Sequence, residues 1–277
     1  MPMHPCGAAT GWVQSNERRT LVLFPSGFDR TIALEAGALV KQAYAQFDQF
    51  TAKQPWNLEG PYDALGLLNA KPEELLGHQE PFGFVARSQV SGKVFVTFRG
   101  TKSLGDWLSD FSFPQVAHPW GRVEKGFASL YEQCAASVEN AVKAARATGP
   151  APEVIVTGHS LGAGLAVLAT ADLAGARAVM YSFAGPRVGD LAFASEFNKN
   201  VTAAWRIVNT EDIVTTVPLA TPSLSASRAD GTFALLMKTS PQLNYEHVGV
   251  AVCFTTHSGS IEGNHGMLQY LGALNGT

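Results

Sequence analysis

Residues 154–165 read VIVTGHSLGAGL, and no other stretch restricts the fold as tightly. Val154-Ile155-Val156-Thr157 is a short β-branched run of the kind that a parallel sheet buries on both faces. Leu161 to Leu173 is rich in alanine and leucine, which favours helix. Ser160 falls between the two, where strand must pass into helix through a sharp turn. Such a turn needs small residues two before and two after its apex, and Gly158 and Gly162 supply them, with Ala163 and Gly164 extending the small surface. With 27 glycines in 277 residues, a G-x-S-x-G is a weak signal alone; the flanking strand and helix give it meaning.

The rest of the chain alternates in the same way. Leu39, Val40, Ala43, Tyr44, Phe47 and Phe50 carry helical spacing within residues 33–50. Two strand-like runs follow, Phe82 to Arg87 and Lys93 to Phe98, joined by a turn at Ser91-Gly92. Helical spacing returns from Phe127 to Ala145, and Gly149-Pro150 stops it. Ala178 to Phe183, Trp205 to Val208 and Val248 to Phe254 read as further strands, and a last helix runs from about Gly266 to Leu274. Strands alternating with helices predict a doubly wound α/β sheet, mostly parallel, with helices on both faces. No linker, repeat or low-complexity tract divides the chain, so residues 1–277 are expected to form one domain. The 46% hydrophobic fraction supports a substantial core.

Charge and length exclude several functions. A net charge of −3 without a basic run argues against nucleic acid and against electrostatic anchoring to a membrane. No apolar run approaches the ~18 residues needed to span a bilayer. Leu21 to Phe24 is too short for a signal-peptide core, so the expectation is an intracellular chain or one given without its leader. Cys6, Cys134 and Cys253 lie far apart and suggest neither zinc nor a disulfide framework; Cys134 and Cys253 sit in apolar patterns and are expected to be buried.

A serine at the carboxyl end of a sheet strand stands where open α/β sheets bind ligands, and the strand–turn–helix context is that of the α/β-hydrolase nucleophile elbow. A serine nucleophile needs a base, and the base needs an acid to orient it, here in the chain order Ser, Asp or Glu, His. Arg206 to Val214, RIVNTEDIV, supplies a strand ending in two acids. Asp212 precedes an apolar pair that can bury it, whereas Glu211 would face solvent; Asp190 is an alternative that also reads as a turn residue. His265 stands at a loop-to-helix junction and is the expected base, with His247 and His257 as alternatives. His159 lies inside the elbow, its side chain expected to point away from substrate. For the oxyanion, the backbone N–H of Leu161 is one donor, and Thr101, after the strand Val94 to Phe98, is the other candidate. Thr101 reads equally well as a turn or cap residue.

These segments resemble the class 3 lipases, typified by secreted fungal triacylglycerol lipases. The matching stretches are Val96 to Thr101, Gly126-Phe127, Gly158 to Gly164, Tyr181 to Gly189, Thr210 to Val214 and Glu246 to Gly249, with His265 followed by Tyr270 one place further along than usual. The resemblance covers roughly residue 35 to the end. It implies an α/β-hydrolase fold with Ser160, Asp212 and His265 as catalytic triad and Thr101 and Leu161 as oxyanion hole, requiring no cofactor and no metal. It implies an ester substrate, with acyl glycerols foremost and carboxylesterase, phospholipase A1 or feruloyl esterase activity as alternatives on the same triad. A different class of function, an inactive hydrolase fold that only binds, would be expected to have lost one of these groups. Two departures stand out: Glu124 occupies a position where many relatives have histidine, and the disulfides of the fungal members have no counterpart.

The resemblance also implies a lid within residues 102–124. Leu104, Trp107, Leu108 and Phe111 recur at intervals that put them on one face of a short helix, with Lys102, Asp106, Ser109 and Asp110 largely between them. Such a face either packs on the core or covers the Ser160 pocket and makes transient contact with a lipid surface.

Overall fold

A computed structural model describes residues 22, 24–72, 79–102, 113–147, 149–218 and 244–276. Helix α1 (Arg30–Thr51) starts at Asp29, whose carboxylate accepts the Thr31 and Ile32 N–H groups. Strands β1 (Tyr62–Ala70), β2 (Glu80–Ser88) and β3 (Val94–Phe98) follow, and then the hairpin β4 (Gln115–His118) and β5 (Gly121–Glu124). After α2 (Lys125–Ala147) come β6 (Val154–His159), α3 (Leu161–Asp172), β7 (Val179–Phe183), α4 (Leu191–Asn200) and β8 (Ala203–Asn209). The described chain ends with β9 (Val250–Phe254), the short α5 (Ile261–His265) and α6 (Met267–Asn275).

Seven strands form one sheet in the order β1-β2-β3-β6-β7-β8-β9. The first three pair antiparallel, and β3, β6, β7, β8 and β9 run parallel. This is the expected α/β-hydrolase architecture. Alternate side chains of β3 enter opposite layers: Val94, Val96 and Phe98 join the core under α2 and α3, while Phe95 joins that under α1 and α6. Both faces are covered, which is why the central strands read as continuous apolar runs. Parallel strands point their carboxyl ends the same way, so the loops after β3, β6, β8 and β9 gather at one edge. Thr101, Ser160, Asp212 and His265 all lie in or beyond those loops.

The structure departs from the sequence reading in several elements. Strand β1 went unread because register shifts at Ala64/Gly66 and Leu68/Asn69 break the period of two. The four-residue strands β4 and β5 carry no alternation at all. They occupy the second half of the stretch read as lid, where Trp120 lies against Phe193 and Phe197 of α4. Leu104, Trp107, Leu108 and Phe111 lie outside the described residues. Phe50, read as part of the apolar face of α1, is exposed. Cys134 is buried, but Cys253 is only partly so, because β9 is the edge strand. Among the described residues, no helix is long and apolar enough to cross a membrane, and no cluster of His, Cys, Asp or Glu could hold a metal ion.

Candidate active site

Ser160 sits between β6 and α3 with φ 58° and ψ −127°, a region that residues with a Cβ rarely occupy. Close packing imposes this conformation. A Cβ at Gly158 would overlap the Gly162 carbonyl, and one at Gly162 would overlap the Arg99 carbonyl, so only glycine lets strand, helix and the β3 loop cross here. The Ser160 N–H is held by the Phe183 carbonyl at 3.0 Å. The side chain is buried, and its Oγ has no hydrogen-bond partner among the described residues.

Asp212 follows β8 and is buried with its carboxylate fully engaged. Oδ1 accepts the Val214 N–H at 3.0 Å; Oδ2 accepts from His265 Nδ1 at 2.8 Å and from the Tyr270 hydroxyl at 2.6 Å. Burial, reinforced by the Asp212 charge, raises the Tyr270 phenol well above its ordinary range, so it stays protonated and donates. Because His265 Nδ1 faces a carboxylate, it is the donor of that bond, and Nε2 is the ring nitrogen left for other partners. That Nε2 is buried and, like Ser160 Oγ, has no hydrogen-bond partner among the described residues.

His159, read as pointing away from substrate, stacks against His265 at 4.5 Å between ring centroids. Its Nε2 lies 2.7 Å from the His265 carbonyl, and its Nδ1 lies 2.8 Å from Tyr44 Oη. Desolvation holds its pKa well below the usual histidine range, so the ring is neutral. A carbonyl only accepts; Nε2 therefore carries the proton and Nδ1 accepts from the Tyr44 hydroxyl. The Tyr44 oxygen in turn accepts the Gly100 N–H at 3.0 Å. One chain of bonds thus runs from the loop after β3, through the elbow, to the base.

Gly100 is pressed against the elbow: a Cβ there would lie 2.8 Å from Ser160 Cβ. Thr101 follows Gly100 directly in the chain, and Leu161 begins α3 with an N–H that the helix itself leaves unbonded. Buried Arg99 anchors the same loop. It donates to the Pro81 and Gly100 carbonyls at 2.7 and 2.8 Å, pairs with Glu80 at 2.5 Å and stacks on Phe47 and Phe82. A charged residue ending an apolar strand was the signal for such an anchor. Tyr44 had none, since its spacing is that of a core residue.

The alternatives lie elsewhere. Asp190 caps α4 through the Phe193 N–H. His247 is half-buried, its Nε2 2.8 Å from the Thr215 carbonyl. His257 is exposed, 3.6 Å from Glu211. Glu124 is buried and accepts the Phe127 N–H at the start of α2.

A family model described as lipase (class 3) matches residues 95–221. The chain is 32% identical over 141 residues to a secreted mono- and diacylglycerol lipase of Fusarium solani, a match covering 49% of this chain and 42% of that protein. It is 36% identical over 149 residues to a chloroplastic phospholipase A(1) of Arabidopsis thaliana, covering 45% of this chain and 33% of that one. The matches therefore span less than half the length of these relatives. The crystal structure of a lipase from Rhizopus microsporus var. chinensis aligns with a TM-score of 0.57 and 26% identity over 78% of this chain and 79% of that one. Residues 95–221 are thus similar to the class 3 lipases, and the sheet built around them is similar in fold to that of a solved fungal lipase.

Proposed function

We propose that this chain is a serine hydrolase of carboxylic esters, acting on acyl glycerols. The observation that carries this reading is a strained, buried Ser160 and a buried His265 whose Nδ1 is bound to Asp212, with Ser160 Oγ and His265 Nε2 both without a hydrogen-bond partner among the described residues. Ser160 Oγ attacks the ester carbonyl while His265 Nε2 takes its proton, and Asp212 stabilises the imidazolium that forms. Negative charge develops on the carbonyl oxygen and is met by the Leu161 N–H and by Thr101. The imidazolium then protonates the departing alcohol, leaving an acyl-serine. Water attacks that ester with His265 again as base, releasing the acid and restoring Ser160.

The names of the relatives divide over the substrate, a mono- and diacylglycerol in one and a phospholipid in the other. Acyl glycerols are favoured because the neutral alcohol they release asks for no cationic group. Comparing rates on monoacylglycerol and phosphatidylcholine tests this, and faster turnover of the phospholipid would reverse the choice. For the chemistry itself, Ser160→Ala should leave a folded protein with turnover of a p-nitrophenyl ester down at least ~10⁴-fold. A fluorophosphonate should label the native chain once and the variant not at all. A variant keeping a tenth of native turnover would refute the mechanism, and a native chain with no turnover would favour a binding protein.

Leu104, Trp107, Leu108 and Phe111 belong to this reading as a lid that opens at a lipid surface. Exposing large apolar side chains costs about 1.5–3 kcal/mol each in water and little at an oil interface. Activity should then jump once the substrate exceeds its solubility, and Trp107→Ala should blunt the jump. Smooth saturation through that limit would favour a plain esterase.

A further inference from the structure

Asp212 stands in the turn after β8 and His265 at the end of α5, so their 2.8 Å bond requires the two segments to be held at one separation. The β8–β9 ladder does not reach them. It ends at Asn209 opposite Phe254, with one further backbone bond from the Thr210 N–H to the Phe254 carbonyl. Beyond that point the segments are joined by the Thr210 and Thr255 hydroxyls at 2.7 Å and, deeper and closer to the two reacting groups, by two side-chain amides.

Asn209, the last residue of β8, is fully buried. Its Nδ2 donates to the Asn264 and Thr256 carbonyls, both at 3.0 Å. Its Oδ1 accepts the Thr256 N–H at 3.0 Å and the Glu211 N–H at 3.3 Å. All four capacities of the amide are used, and a flipped amide would oppose donor to donor, so its orientation is determined. Asn264 answers from the other segment. Its Nδ2 donates to the Glu211 carbonyl at 3.2 Å, while Oδ1 accepts from Ser258 N–H and Oγ at 2.7 and 2.9 Å. Each amide thus grips the backbone of the opposite segment, and two of the three carbonyls gripped belong to Glu211 and Asn264, the residues immediately before Asp212 and His265. The Asn209 backbone joins the same assembly: its carbonyl accepts the Asp212 N–H at 3.0 Å and its N–H reaches the Tyr270 oxygen at 3.3 Å.

We infer that Asn209 and Asn264 are positioning residues, whose reciprocal amide clasp sets the Asp212–His265 geometry and thereby the readiness of His265 to take the Ser160 proton. The inference rests on the triad reading above and adds two residues that never touch the substrate. Displacing a catalytic group by a fraction of an ångström costs far more in rate than in ground-state binding.

The test compares Asn209→Ala and Asn264→Ala, alone and combined with Asp212→Asn, on dissolved p-nitrophenyl butyrate. Each single variant should lower kcat by about 10- to 100-fold with KM changed by less than about twofold. The far-downfield proton resonance of the His265 Nδ1–H, present in the native protein, should move or broaden away. In the Asp212→Asn background either alanine should cost less than about twofold more, because groups acting through one bond are not additive. Variants that only melt earlier, with native kcat and the downfield resonance intact, would overturn the clasp, as would losses that multiply with that of Asp212→Asn. Should Asn209→Ala fail to fold, Asn264→Ala carries the same readouts from a less buried position. An Asp212→Asn protein with native kcat would overturn the triad reading and the clasp together, whereas a crippled one beside silent asparagine variants overturns the clasp alone.

Discussion

Ser160→Gly should be at least as stable as Ser160→Ala, which reverses the usual order of these two residues. Both variants lack the hydroxyl, so their difference isolates the backbone and the methyl group. At an ordinary buried position glycine loses about 0.5–1 kcal/mol through the flexibility of the unfolded chain and about 0.8 kcal/mol through the missing methyl. The deficit is then about 1.5 kcal/mol. At φ 58° and ψ −127° alanine carries a backbone strain of about 1–3 kcal/mol that glycine escapes. Taking ~2 kcal/mol for the strain, the difference moves from about −1.5 to near +0.5 kcal/mol in favour of glycine. The assay is urea unfolding of the two variants side by side, supported by melting, where 1 kcal/mol corresponds to roughly 2–4 °C for a chain of about this size. A Ser160→Gly protein less stable than Ser160→Ala by ~1.5 kcal/mol would show an unstrained elbow and remove the argument that packing around Gly158 and Gly162 forces the serine into position.

Thr101→Val keeps the backbone donor and the β-branched shape, and should lower kcat by about 10- to 10³-fold with KM little altered; native kcat would reduce Thr101 to a turn residue. Tyr270→Phe removes one of three donors to the buried Asp212 carboxylate and should cost about 1.5–3 kcal/mol of stability, measured by urea unfolding; a change under ~0.5 kcal/mol would mean that this bond is replaced by another partner. His159 and His247 both have pKa values depressed by burial, so the unfolded chain binds their protons first. Stability present above pH ~6.5 should therefore fall as pH drops below it, by at most about 1.4 kcal/mol per pH unit for each histidine, and His247→Gln should remove one share of that slope. An unchanged slope in His247→Gln would contradict the assignment of a neutral buried ring.

The sequence by itself determined the central strands and the elbow, and narrowed the candidates for the reacting groups, because each is written locally. Apolar periodicity separates strand from helix, and paired small residues around a serine admit one turn. Acids and histidines after later strands leave few candidates. Strand β1 and the β4–β5 hairpin escaped because a bulged edge strand and four-residue strands carry no period to read. Only the tertiary structure decided what surrounds the candidate triad: that Asp212 takes three donors, that His159 faces the base and Tyr44 rather than solvent, and that Asn209 and Asn264 clasp the two segments. Tyr44 and His159 are 115 residues apart, and Asn209 and Asn264 are 55 apart. A hydrogen bond depends on where two atoms meet in space, and a one-dimensional pattern records the side chains without recording the meeting.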